Sequence, residues 1–201
     1  MWCASVLPAP GAGRLDIDQA GQICVFTDEF RTWRNPADCS AEVSLSWTPA
    51  ALHIEVKVRD DVLWANPAAK QAAWNGDAVE LFLDPAPAEA AFRRALGAGA
   101  LQAIIPATPG IEAPAIGGGA LRRRITVAAV PGGYRCTIDV PAAALGFAAF
   151  TAGQILGFDL ALDDADSDQG RKTQMAWAGS AENHKDASRW GHLILRAGAG
   201  P

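Results

Sequence analysis

The sequence predicts an all-β chain folded as a two-sheet antiparallel β-sandwich of jelly-roll type, with one or two short helical turns. Three observations carry that expectation: short segments alternate apolar and polar residues, turn formers separate them at close intervals, and helical periodicity is scarce. Among 201 residues there are 20 Gly and 13 Pro, enough to punctuate nine or ten strands, and 50% are hydrophobic. A chain of this length builds a sizeable core without covalent staples. No internal repeat or linker composition divides it, so residues 1–201 are expected to form a single domain.

The strands follow in order. Residues 22–26 are the first candidate. In 41–47, Val43, Leu45 and Trp47 alternate with Glu42, Ser44 and Ser46. In 51–59, Leu52, Ile54, Val56 and Val58 oppose His53, Glu55, Lys57 and Arg59, and Thr48-Pro49-Ala50 supplies the turn of a hairpin. Further candidates are 78–83, 100–105, 121–130, 133–139, 155–162, 173–178 and 191–196, with Pro131-Gly132-Gly133 as a second hairpin turn. Helix is expected only at Pro87–Leu96, rich in Ala, Glu and Arg, and as one turn at Pro141–Leu145, with Pro at its first position. Residues 106–119, rich in Pro and Gly, read as a long surface loop.

Charge and cysteine spacing exclude several classes. A net charge of −5 with one basic run, Arg122-Arg123-Arg124, makes nucleic acid an unsuitable partner. No apolar run reaches the roughly 20 residues of a membrane span. Cys3, Cys24, Cys39 and Cys136 lack Cys-x-x-Cys spacing; Cys24 and Cys39 could pair, or all four could be small buried hydrophobes. The start lacks the basic flank and apolar stretch of a signal peptide. The protein either stays inside or is secreted or periplasmic, its export signal lying outside this chain; the second is the expected localisation.

Residues 74–84, Trp-Asn-Gly-Asp-Ala-Val-Glu-Leu-Phe-Leu-Asp, carry the most chemistry. Trp74 precedes a turn and a strand on which Glu80 faces away from Val79 and Leu81. An apolar plate beside a hydrogen-bonding acid suits a sugar, with its C–H face and hydroxyl rim. The plainer alternative is a core tryptophan, a solvated turn and an exposed glutamate.

The order of segments resembles family 9 carbohydrate-binding modules and their DOMON-like relatives over about residues 40–196. The resemblance rests on Ser-Leu-Ser-Trp47 with Ala-Leu52-His-Ile-Glu-Val-Lys-Val-Arg-Asp60-Asp61, the 74–84 run, Gly157-Phe-Asp-Leu-Ala-Leu-Asp-Asp164, Met-Ala-Trp177, and Asp186-Ala-Ser-Arg-Trp190-Gly191-His-Leu-Ile-Leu195. It implies a non-catalytic β-sandwich that grips a polysaccharide or oligosaccharide of xylan or cellulose type, at chain ends, between two tryptophans. It also implies attachment to other domains of a larger glycan-active protein. The first tryptophan falls on Trp74 and its carboxylate partner on Glu80. The family's middle-strand arginine falls near Gln102, and the second tryptophan is replaced by Asn183-His184-Lys185. His184 then serves as a smaller face and Asn183 as a hydroxyl reader. Trp64, in the loop before the site, either replaces the second plate or caps the sandwich. Trp47, Trp177 and Trp190 are expected in the core.

Asp163-Asp164-Ala-Asp166-Ser-Asp168 offers alternating carboxylates at Asp164, Asp166 and Asp168 that suit calcium, and relatives of the resembled family bind calcium structurally. A solvated acidic turn is the alternative; Gly170 comes one place late for an EF-hand, and Met175 stands where its bidentate glutamate should be. Asp77 and Glu80 could be posed as a glycosidase pair, but three residues apart on a turn and strand they better serve hydroxyl binding. No Gly-x-Ser-x-Gly, His-Glu-x-x-His or phosphate loop occurs, and His53 and His192 read as surface or packing residues. Two rival functions stand beside sugar binding. One is a haem-binding electron-transfer domain ligated through Met175. The other is a structural sandwich that docks a neighbour over Trp64 and Trp74.

Overall fold

The computed structural model describes residues 4–8, 13–17, 23–25, 33–66, 72–108, 115–116, 121 and 124–196. The strands are β1 (Ala4–Pro8), β2 (Gly13–Ile17), β3 (Ile23–Val25), β4 (Cys39–Trp47), β5 (Ala51–Asp60), β6 (Ala78–Asp84), β7 (Leu101–Pro106), β8 (Ala115–Ile116), β9 (Ile125–Val130), β10 (Gly133–Pro141), β11 (Ile155–Asp164), β12 (Thr173–Ala176) and β13 (Gly191–Arg196). The helix α1 spans Pro87–Arg93, and a 3-10 turn, Ala142–Leu145, follows Pro141.

Two sheets result. One runs β2-β4-β5-β10-β9. The other runs β1-β13-β11-β6-β7-β8, with β12 and β3 continuing beside β11. Pairing is antiparallel throughout, except that β1 lies parallel to β13. Alternation sets the register: Leu52, Ile54, Val56 and Val58 are buried while Lys57 and Arg59 are exposed. The apolar faces of the two sheets share one core, in which Val43, Leu45, Ile54 and Val56 meet Leu81, Leu83, Phe158 and Leu160. Trp47 and Trp177 belong to this core, and Phe158 packs on Trp177 with ring centroids 5.7 Å apart.

The strand β6 lies between β11 and β7, and all seven of its residues are buried. Val79, Leu81 and Leu83 enter the inter-sheet core. Phe82 points to the outer face and joins Trp190, Ala90, Ala161, Ala176 and Ala187 in a second, smaller cluster. Its ring centroid is 5.3 Å from that of Trp190. Cover from α1 and the 171–190 segment thus makes this outer face a second interior, and Glu80 emerges on it.

Differences from the sequence expectations are local. Strands β1 and β2 lie in a stretch without a readable pattern, and their places are set by pairing with β13 and β4. β8 interrupts the expected 106–119 loop; 109–114 and 117–120 lie outside the described residues, as do Cys3, Arg122 and Arg123. Cys39 and Cys136 are free and buried, which sets aside a Cys24–Cys39 pairing. His53 stands on the outer face of the five-stranded sheet, 2.6 Å from Asp139.

Because Leu81 fills the core from a strand flanked on both sides, Leu81→Ala leaves a cavity that neighbours cannot close. It is expected to lower unfolding free energy by about 2–5 kcal/mol in urea titrations. A change under about 0.5 kcal/mol would contradict this placement of the strand.

Candidate functional site

A cavity of about 480 Å³ opens on the outer face of the eight-stranded sheet. Trp74 stands at its rim with 42% of its surface exposed. Its floor is formed by Glu80, Phe82, Gln102 and Gln174, and its far wall by 181–184. The chain brings Trp74, Glu80, Gln102, Asn183 and His184 to this one cavity. Trp64 is not among the lining residues. It is tied to the turn instead, since its N–H donates to Asp77 Oδ2 and its carbonyl accepts from the Asp77 N–H at 3.0 Å.

Glu80 is 4% exposed, and burying a carboxyl is costly unless partners replace its water. Gln102 Nε2 on β7 donates to Oε2 at 3.0 Å. From the other side, Gln174 Nε2 on β12 donates to Oε1 at 3.0 Å, and Arg171 Nη1 lies 3.4 Å from the same oxygen. Arg171 Nη1 also donates to Asp163 Oδ1 at 2.5 Å, and Gln174 Nε2 to that oxygen at 2.9 Å. Burial, and next the Glu80 charge, push the Asp163 carboxyl well above its ordinary pKa. The Arg171 guanidinium lies 5.0 Å from the centroid of the Trp74 ring, a cation–π contact that covers one face of the plate. Arg171 and Gln174 escaped the sequence reading. The signal available was a basic pair, Arg171-Lys172, closing a run of aspartates.

Local chain geometry holds this group. Gly170 has φ +86°, and a Cβ there would come within 2.5 Å of Asn75 Oδ1. That same oxygen accepts the Arg171 N–H at 3.0 Å, so the turn bearing Trp74 and the segment bearing Arg171 are locked together. On the far wall, Asn183 is spent on structure: Nδ2 donates to Asp159 Oδ2 at 2.8 Å and Oδ1 accepts the Ser180 N–H at 2.8 Å. His184 is exposed beside it, and Glu182 pairs with Lys185.

Asp77 is fully buried and does not face the cavity. Its carboxyl accepts the Trp64 and Ala165 N–H groups, the latter at 2.8 Å, so it organises the turn and forms no catalytic pair with Glu80. Met175, the candidate axial ligand, packs in the inter-sheet core at 1% exposure. Of the acidic loop, Asp164 and Asp166 gather around Lys172, whereas Asp168 is exposed. Burial raises Asp164 to about 8, and burial of Asp60 raises it to about 7.

The comparisons agree with this fold. The sequence pattern of the family described as carbohydrate family 9 binding domain-like matches residues 22–198. Among solved structures, a family 9 carbohydrate-binding module from Caldicellulosiruptor kristjanssonii in complex with cellotriose is similar, with a TM-score of 0.68 and 20% identity over 98% of this chain and 95% of that one. The glucose complex of such a module from the same organism gives 0.64 and 21% over 89% and 93%. A putative carbohydrate-binding protein from Bacteroides uniformis gives 0.59 and 10% over 93% and 88%. No curated protein matches the sequence.

The buried acids set a pH dependence. Burial holds Asp77 up at about 9 and Asp159 at about 6, both above the ordinary carboxyl value near 4. Between about pH 4 and pH 9 the folded chain keeps protons that the unfolded chain releases, so stability falls as pH rises. The lowered carboxyls, Asp38 and Asp186, act below that window. Calorimetric melts are expected to give a lower midpoint at pH 9 than at pH 5; a midpoint that rises instead would show these acids to be ionised in the fold.

Proposed function

The chain belongs to the carbohydrate family 9 binding domain-like family, and from that premise we propose that it binds a sugar at the cavity beneath Trp74. It is a carbohydrate-binding module, and the family is non-catalytic. The observation that carries the finer reading is that a half-exposed indole and a buried carboxyl line one cavity. The sugar's C–H face stacks on the indole surface that the Arg171 guanidinium leaves open, and its hydroxyls reach Glu80, Gln102 and Arg171. His184 bounds the opposite side, and Asn183 holds the 180–183 turn that carries it.

A cavity of about 480 Å³ is of small-ligand size, and in this reading it takes the end of a chain of xylan or cellulose type. In this reading the module works outside the cytoplasm, where such polysaccharide lies, and holds a larger glycan-active protein on it.

Titration calorimetry with glucose, cellotriose and xylotriose tests the proposal. Trp74→Ala is expected to weaken binding by about tenfold or more, as one stacked plate contributes about 1 kcal/mol beyond its buried area. Since Trp74 is half-exposed, the melting midpoint should hardly move. Glu80→Gln keeps the side chain's shape and removes its charge, and is expected to cost about tenfold through lost charge-assisted hydrogen bonds. Wild-type protein that binds none of these sugars would remove the proposal.

A further inference from the structure

A second cluster of charge lies outside the sugar cavity. Lys172 Nζ donates to Asp38 Oδ1 at 2.8 Å and Asp166 Oδ2 at 2.7 Å, and stands 3.3 Å from Asp164 Oδ2. We propose that the Lys172 ammonium occupies the cation site of this acidic loop, so that the protein's own side chain does there what a divalent metal would otherwise do.

Four features support the assignment. The lysine side chain is only 7% exposed, so its hydration has been exchanged for carboxylates. From its segment before β12 it ties Asp38, 134 residues away before β4, to Asp164 and Asp166 around the nearby end of β11. That is the cross-linking role of a structural ion. Next, Arg34 already neutralises the outer rim, pairing with Asp38 and, at 2.9 Å, with Asp61.

Finally, the donors left over do not suit calcium, which takes six to eight oxygens. Asp168 is exposed. Two groups among the described residues have ligand atoms within 4.8 Å of one another: the outer, Asp38, Asp61 and Asp166, is already paired with Arg34 and Lys172, and the inner is Cys39, Asp60 and Asp164. It offers two carboxyls and a thiol, and sulfur is a poor donor to a hard cation. Both Asp164 oxygens and Asp60 Oδ2 are buried without hydrogen bonds. The charge available to them is Lys172, at ion-pair distance from Asp164. The assignment is independent of what the sugar cavity binds.

The test uses the full chain and calcium chloride. Wild-type protein melted in EDTA and in millimolar calcium is expected to give midpoints within about 1 °C, because a ligand that does not bind the folded state cannot raise its stability. Titration of calcium into the wild type should give no saturable heat. Lys172→Gln leaves the buried Asp164 without its cation, and Asp38 and Asp166 with Arg34 alone, and is expected to lower the midpoint in EDTA by about 5 °C or more, while Lys172→Arg retains most of it. A calcium-dependent rise of several degrees in the wild type, or saturable calcium binding to it, overturns the assignment. So does a Lys172→Gln midpoint equal to that of the wild type. Should Lys172→Gln not fold, the two wild-type measurements decide.

Discussion

A buried carboxyl on an interior strand, at the floor of the cavity, is the constraint that organises this molecule. Glu80 cannot reach solvent through either neighbouring strand, so partners must come to it. One amide arrives from β7, another from β12, and a guanidinium from the segment between β11 and β12. Each partner has to be delivered to a fraction of an ångström, and this fixes the relative positions of three strands and a loop. A strand of β6's composition could pair in many sheets; one carrying Glu80 needs these neighbours.

The far wall solves a similar problem with different means. Asp159 is also buried, and it is satisfied by backbone: the N–H groups of Ala178 and Gly179 donate to it, joined by the Asn183 amide. Gly179 is required because a Cβ there would meet Asp159 Oδ2 at 2.2 Å. A loop shaped around a buried carboxyl keeps its form without regular structure. That leaves the outward-facing residues, His184 among them, to vary with little effect on the fold.

Much of this architecture was legible in the sequence. Period-two alternation located β4 to β7 and β9 to β13 to within a few residues, because each such strand faces a core on at least one side. The 74–84 run pointed to Trp74 and Glu80, which the fold brings to one cavity, since both sit on one short turn and strand. Arg171 and Gln174 were not legible: they meet Glu80 from 91 and 94 residues away, and only the pairing of β12 with β11 brings them there. The same holds for Lys172 and Asp38, 134 residues apart. The aspartate run suggested a cation, and the lysine four residues beyond it was not weighed as that cation. Strands β1 and β2 stayed hidden because they add to sheet edges whose own sequences declare nothing about a partner.

Arg171 and Lys172 are consecutive, yet one side chain serves the plate and the acid while the next is sunk among aspartates. A single peptide unit is thereby riveted from two directions. Movement of the backbone at Arg171 would draw the Lys172 ammonium from its carboxylates, so the segment that carries the guanidinium is anchored from the side away from the cavity. Such rigidity lowers the entropy lost when a guest settles, and it lets the recognition surface be tuned from behind.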